Sequence, residues 1–265
     1  MNTLRRLALV LAITLPAACA APPDLPPVQP YSPAALGSLR YKAVLAAGDG
    51  RLPVFDNAVE GVLGRLRQGG RTAGVTRLSA APGVIAQSGV QSASLDHLLG
   101  AVSDLRLEAG QGCLVFITSH GAANRGLSLS ATGAATGETL SPASLDRALA
   151  RGCGNAPTAV VASGCFSGSF AQPPMARANR VILTAARADR TSFGCGAGFT
   201  HTVYDRCFLD SLDRGGTWQQ AFEGIRTCVT AEERRQRAAP SLPQAWFGGA
   251  VAGLPLPSGP APATP

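Results

Sequence analysis

Two residues in this chain have neighbours suited to covalent chemistry. Cys165 lies in Ser163-Gly164-Cys165-Phe166-Ser167-Gly168-Ser169, and His120 ends the run Phe116-Ile117-Thr118-Ser119-His120-Gly121. Cysteine attacks as its thiolate, and a nearby imidazole lowers the thiol pKa and later protonates the leaving group. Small residues around the thiol let a substrate backbone approach and let main-chain N–H groups point at a developing oxyanion. The expected donors are the backbone N–H groups of Gly121 and Cys165. Each residue also has an ordinary reading. A lone His after a strand is commonly a hydrogen-bonded loop residue, a buried Cys is commonly an inert small hydrophobe, and Gly-Cys-x-Ser-Gly could be a tight turn. What favours chemistry is that both follow apolar runs, with the His first.

Those runs belong to a pattern of short apolar segments alternating with amphipathic ones, the mark of an α/β protein with a largely parallel sheet. Strands are predicted over 41–47, 75–78, 113–118, 158–163, 181–185 and 245–250. A small hairpin is predicted from 127–129 and 139–140. Helices are predicted over 56–68, 94–107, about 142–151, 199–212 and 218–237. Ser141-Pro142 supplies an N-cap and a first-turn proline. Open parallel sheets bind ligands beyond the carboxyl ends of their strands. Four such ends here carry Gly48-Asp49-Gly50, Ser119-His120-Gly121, Ser163-Gly164-Cys165, and the polar loop from Ala186 to Ser192.

At these residues the chain resembles the legumain-like (C13) cysteine peptidases. Ser119-His120-Gly121 is similar to their His-Gly block, and Cys165-Phe166-Ser167-Gly168-Ser169 to their Cys-x-Ser-Gly-Ser block. The stretch from Thr184-Ala185-Ala186 through Thr191-Ser192-Phe193-Gly194-Cys195 is similar to the strand and pocket loop that follow. The likeness runs from about Tyr41 to at least Trp246. It is closer still to a bacterial exported branch, through Phe55-Asp56-Asn57-Ala58, Ala188-Asp189-Arg190-Thr191-Ser192-Phe193-Gly194-Cys195 and Pro240-Ser241-x-Pro243-Gln244.

The resemblance implies a caspase-like three-layer sandwich, with a mostly parallel central sheet flanked by helices. It also implies thiol-dependent cleavage or transfer at an acyl bond of a peptide or protein. It carries His120 over as general base and acid, Cys165 as nucleophile, Gly121 as oxyanion donor, and Asp49 at the position that orients the histidine. The spacing of 45 residues between His120 and Cys165 compares with the roughly 50 of the same order in caspases. Ser163, Asp189, Arg190 and Ser192 are the expected substrate-binding residues. Two departures bear on the substrate. Ser163 stands where legumains have an acidic residue for a P1 asparagine, and Val54-Phe55 stands where they have Arg-His.

Of the 265 residues 46% are hydrophobic, enough for one core and one domain. The first 19 residues read as an export leader. Arg5 and Arg6 precede an apolar run over 7–15, which is too short to remain as a membrane span, and a small-residue zone follows. Ala18-Cys19-Ala20 fits release before Ala21; Ala17-Ala18-Cys19 fits a lipoprotein box, with Cys19 lipidated and Pro16 departing from the usual pattern. The lipoprotein outcome is narrowly favoured, because residues 20–38 are Pro-rich and suit a tether. The peptidase domain is expected over 39–253, with 254–265 as a disordered Pro-rich tail. The expected location is the periplasm, with the membrane reached only through a lipid anchor.

An exported chain meets an oxidising compartment. Cys113 with Cys153, and Cys207 with Cys228, are candidate disulfides; if all six mature cysteines paired, Cys165 would be locked. The charge of +7, less the two leader arginines, is +5, and no basic stripe interleaved with aromatics accompanies it, so nucleic acid is not an expected partner. Neither Cys-x-x-Cys nor a His pair at helical spacing occurs, so no metal or other cofactor is expected. Two rivals stand beside the peptidase reading. Cys165, Asp189 and His201 have the order of an α/β-hydrolase triad, although Ser163 and Ser167 occupy the elbow's glycine positions. The other rival is a catalytically inactive exported binding protein on the same caspase fold.

Overall fold

A computed structural model describes residues 27–130, 137–196 and 198–258. In chain order the elements are α1 (Pro33–Gly37), β1 (Arg40–Ala47), α2 (Pro53–Gly69), β2 (Thr72–Ser79), α3 (Pro82–Ile85), β3 (Val90–Ser92) and α4 (Leu95–Ser103). There follow β4 (Gln111–Thr118), β5 (Gly121–Ala122), β6 (Gly126–Leu129), β7 (Glu138–Leu140), α5 (Pro142–Gly152) and β8 (Thr158–Ser163). The chain continues through β9 (Arg180–Thr184), α6 (Val203–Arg214), α7 (Trp218–Gln236) and β10 (Gln244–Phe247).

Seven strands form one sheet in the order β10-β9-β8-β4-β1-β2-β3. Every neighbouring pair in it is parallel except β10 with β9. Successive side chains of a strand point to opposite faces, and here both faces are covered. Leu114 and Phe116 of β4, with Ala159 and Val161 of β8, pack in the layer of α2, α6 and α7. Val115 and Ile117, with Val160 and Ala162, pack against α4 and α5. That double burial explains why the central strands read as continuous apolar runs.

Helix ends follow local chemistry. Pro53 opens α2, and Gly70 closes it in the left-handed region at φ 68°. Ser141 with Ser144, and Thr217 with Gln220, form reciprocal caps on α5 and α7. The helix expected from residue 199 begins at Val203, because the Thr202 side chain accepts the N–H of Asp205 and caps it there. His201 is therefore in a loop.

Both terminal expectations need correction where the chain is described. Within the expected tether, Pro33–Gly37 is helical, Leu36 is buried, and the Tyr31 N–H donates to the Ala250 carbonyl. Within the expected tail, Leu254 and Leu256 are core residues, the Tyr41 hydroxyl donates to the Pro255 carbonyl, and the Ser258 hydroxyl to that of Leu212. A Pro-rich composition signals a lack of regular structure, and it does not preclude anchoring by a few apolar side chains. The leader with Cys19 and the end of the tail lie outside the described residues. Among the described residues no helix is long and apolar enough to cross a membrane.

Cys113 is bridged to Cys153 and Cys207 to Cys228, while Cys165 and Cys195 are free. The first bridge ties the start of β4 to the end of α5; the second staples α6 to α7.

Candidate active site

The parallel register pairs Thr118 of β4 with Ser163 of β8, and the Ser119 N–H extends the ladder to the Ser163 carbonyl at 3.0 Å. His120 and Cys165 each stand two residues beyond a paired position, so both emerge at the same edge. The two tips are pressed backbone to backbone. A Cβ at Gly121 would collide with the carbonyl of Cys165, and one at Gly164 would lie 2.6 Å from the Ser119 carbonyl oxygen. Only glycine permits that approach at either place.

The turn carrying Cys165 is built from backbone groups and one hydroxyl. Phe166 adopts φ 58° and donates its N–H to the Arg190 carbonyl at 2.7 Å. Ser167, read from sequence as merely small, is buried and cross-links the turn. Its hydroxyl donates to the Gly164 carbonyl at 2.8 Å and accepts the N–H groups of Ala185 and Ala186, at 3.1 and 3.3 Å. The Ser of the Cys-x-Ser motif is thus the pin between the cysteine turn and the end of β9.

Cys165 is half-buried, and its sulfur accepts the Ser192 N–H at 3.3 Å. The Ser192 carbonyl and hydroxyl oxygens lie 3.6 and 3.7 Å from it. Three residues beyond Ser192, burial pushes the thiol pKa of Cys195 up, and the neighbouring charge of Cys165 adds to that.

His120 is also half-buried, and Phe55 packs edge-on against its ring at 5.2 Å between centroids. Phe55 occupies the segment where the expected family pattern has a polar pair, and an aromatic wall takes its place. Asp49 is wholly buried just beyond β1. Its carboxylate accepts the Arg51 backbone N–H at 2.8 Å and the Arg51 guanidinium at 2.5–3.1 Å. Burial alone would raise its pKa. The Arg51 hydrogen bonds and the charges of Arg51 and His120 outweigh that and hold the carboxyl below its ordinary value. Among the described residues the side-chain hydrogen bonds of Asp49 go to Arg51, so Asp49 does not orient His120 by a hydrogen bond as expected.

The other expected residues are less uniform. Ser163 is 2% exposed and its hydroxyl is turned toward Asp205, so it has no surface to offer a substrate. Alternation along β8 places it on the α6 face, a consequence a linear motif does not reveal. Asp189 is exposed and paired with Arg187 at 2.5 Å. Arg190 supplies its carbonyl to the cysteine turn and is half-buried. Of the α/β-hydrolase candidates, Asp189 is engaged by Arg187 and His201 belongs to the loop before α6. Among the described residues no group of three or more His, Cys, Asp or Glu side chains comes together to hold a metal.

The model of the Peptidase C13 family matches residues 105–253, a stretch that contains both strand tips and the loop that follows β9. The crystal structure of Caspase-1 from Spodoptera frugiperda is similar in fold, with a TM-score of 0.52 at 10% identity, covering 90% of this chain and 94% of that one. The architecture is accordingly a caspase-like α/β fold with a mostly parallel central sheet flanked by helices. No curated protein sequence matches the chain.

Proposed function

We propose, for a chain that belongs to the Peptidase C13 family and is therefore a cysteine-type peptidase, that Cys165 is the nucleophile and His120 its acid–base partner. The observation that carries this reading is the backbone contact between His120-Gly121 and Gly164-Cys165 at the carboxyl ends of β4 and β8. The Cys165 thiolate adds to a peptide carbonyl carbon. The new C–S bond shifts the carbonyl pair onto oxygen, where the N–H groups of Gly121 and Cys165 receive it. The C–N bond then breaks, His120 delivers its proton to the departing amine, and a thioester remains. Water, or a second amine, adds to that thioester while His120 takes up its proton, and the thiolate leaves.

Asp49 puts a carboxylate charge near His120, whose histidinium is spent in the first half-reaction and re-formed in the second. Ser192 secures the sulfur, and Asp189 and Arg190 stand at the rim where a substrate side chain would enter. With Ser163 buried and Phe55 in place of a polar partner, nothing favours asparagine at P1.

We further propose that the protein is bacterial and works outside the cytoplasm, in the periplasm, released or tethered through lipidated Cys19. Support comes from the leader pattern and from two disulfides, which persist in oxidising compartments. The direct test is a peptide-library digest with wild type and Cys165→Ala. Cleavage by wild type alone is expected, and the cleaved bonds report the P1 preference. Equal cleavage by both proteins would overturn the assignment.

A further inference from the structure

Asp205, on the first turn of α6, is a wholly buried carboxyl group with no part in the mechanism above. Thr118 and Ser163 are register partners, and alternation along β4 and β8 turns both toward the α6 layer. The Thr118 hydroxyl donates to Asp205 Oδ2 at 2.7 Å. The hydroxyls of Ser163 and Thr202 face the same carboxyl, yet Oδ1 closes no hydrogen bond of good geometry among the described residues. One acid is thus set between the last residues of the two strands that carry His120 and Cys165. His201 and Tyr204 are its titratable neighbours, and burial raises its pKa. A buried carboxyl with an incomplete set of partners is a poor device for stability alone.

We infer that Asp205 is a positioning residue for the cysteine chemistry, its carboxyl joining the tip of β4 through Thr118 to the tip of β8 beside Ser163 and thereby setting how His120 and Cys165 face one another. The inference rests on the assignment of those two residues given above. Asp205 never meets substrate, so its removal changes reactivity and leaves substrate binding intact. Misplacement of reacting groups by a fraction of a bond length is enough to slow a reaction substantially.

The test compares wild type with Asp205→Ala, Asp205→Asn and Thr118→Val. The readouts are the rate of Cys165 alkylation by iodoacetamide, and kcat and KM on a peptide that wild type cleaves. Asp205→Ala is expected to slow alkylation and kcat by about ten- to a hundredfold with KM nearly unchanged. Asp205→Asn keeps an acceptor for Thr118 and is expected to recover most of that loss. Thr118→Val removes the donor at constant shape and is expected to lower kcat in the same way, without adding to Asp205→Ala in the double variant. A folded Asp205→Ala with wild-type alkylation and kcat would overturn the inference, as would an Asp205→Asn no better than alanine. If Asp205→Ala does not fold, Thr118→Val decides, and wild-type kinetics there overturn it. A wild-type Cys165 that does not react sinks the peptidase assignment and this inference together; a reactive wild type with indifferent variants sinks the inference alone.

Discussion

The backbone N–H of Ser192 donates to the sulfur of Cys165 at 3.3 Å, so the loop after β9 reaches back to the tip of β8 and holds the thiol. The donor is main chain, and substitution at 192 does not remove it. A fixed N–H keeps the sulfur in place before any substrate arrives.

The two free thiols are therefore expected to differ in reactivity. Burial and the neighbouring Cys165 raise the pKa of Cys195, so at a given pH less of it is thiolate and it alkylates more slowly. Limited iodoacetamide at mildly acidic pH, followed by peptide mass mapping, should mark Cys165 first, and Cys165 itself should label more slowly in His120→Ala. Earlier labelling of Cys195 would contradict the arrangement.

Gly121→Ala keeps the N–H but brings a methyl group against the Cys165 carbonyl. The strand tips must part, and kcat is expected to fall by about a hundredfold. A thermal melt run alongside separates this loss from unfolding, and near-normal kcat in a folded variant would show that the tips have slack.

The Asp49–Arg51 pair gives a pH signature. Because the folded carboxyl titrates below its ordinary value, its stabilising effect is complete above about pH 4 and fades as pH falls through the folded pKa. Urea titrations of wild type and Arg51→Ala should differ near neutrality and converge in acid. A gap that widens on acidification would reverse the sign and contradict the pairing.

The disulfides are expected to carry much of the stability. Loop entropy assigns about 4 kcal/mol to the bridge closing 40 residues, Cys113–Cys153, and about 3 kcal/mol to the one closing 21, Cys207–Cys228. Denaturation of the paired Cys→Ser variants measures each, and a loss below about 1 kcal/mol would mean the unfolded chain is already restrained there.

How much of this was legible follows from which signals are local. The central strands announced themselves as unbroken apolar runs, and their ends marked His120, Cys165 and Asp49. Both disulfide pairings follow from the elements that place those cysteines side by side. The α3 turn, β3 and β5 have two to four residues each, too few to set a period. Nothing local in the sequence marks Phe55 or Asp205 as parts of the site, because their partners lie far off in sequence, and Ser167 shows only its short link to Gly164, not its bonds to Ala185 and Ala186. Motif position points Ser163 at the substrate, but it says nothing about which face of the sheet a side chain takes.

The Tyr41 hydroxyl meets the Pro255 carbonyl across 214 positions of chain, and Leu256 and Ser258 fasten beside it to the Gly216 and Leu212 carbonyls. The first strand of the sheet thus depends on residues 214 positions downstream to shut its outer layer. A chain cut at residue 253 would lack that latch, keeping His120 and Cys165 while leaving the door beside α6 and α7 ajar.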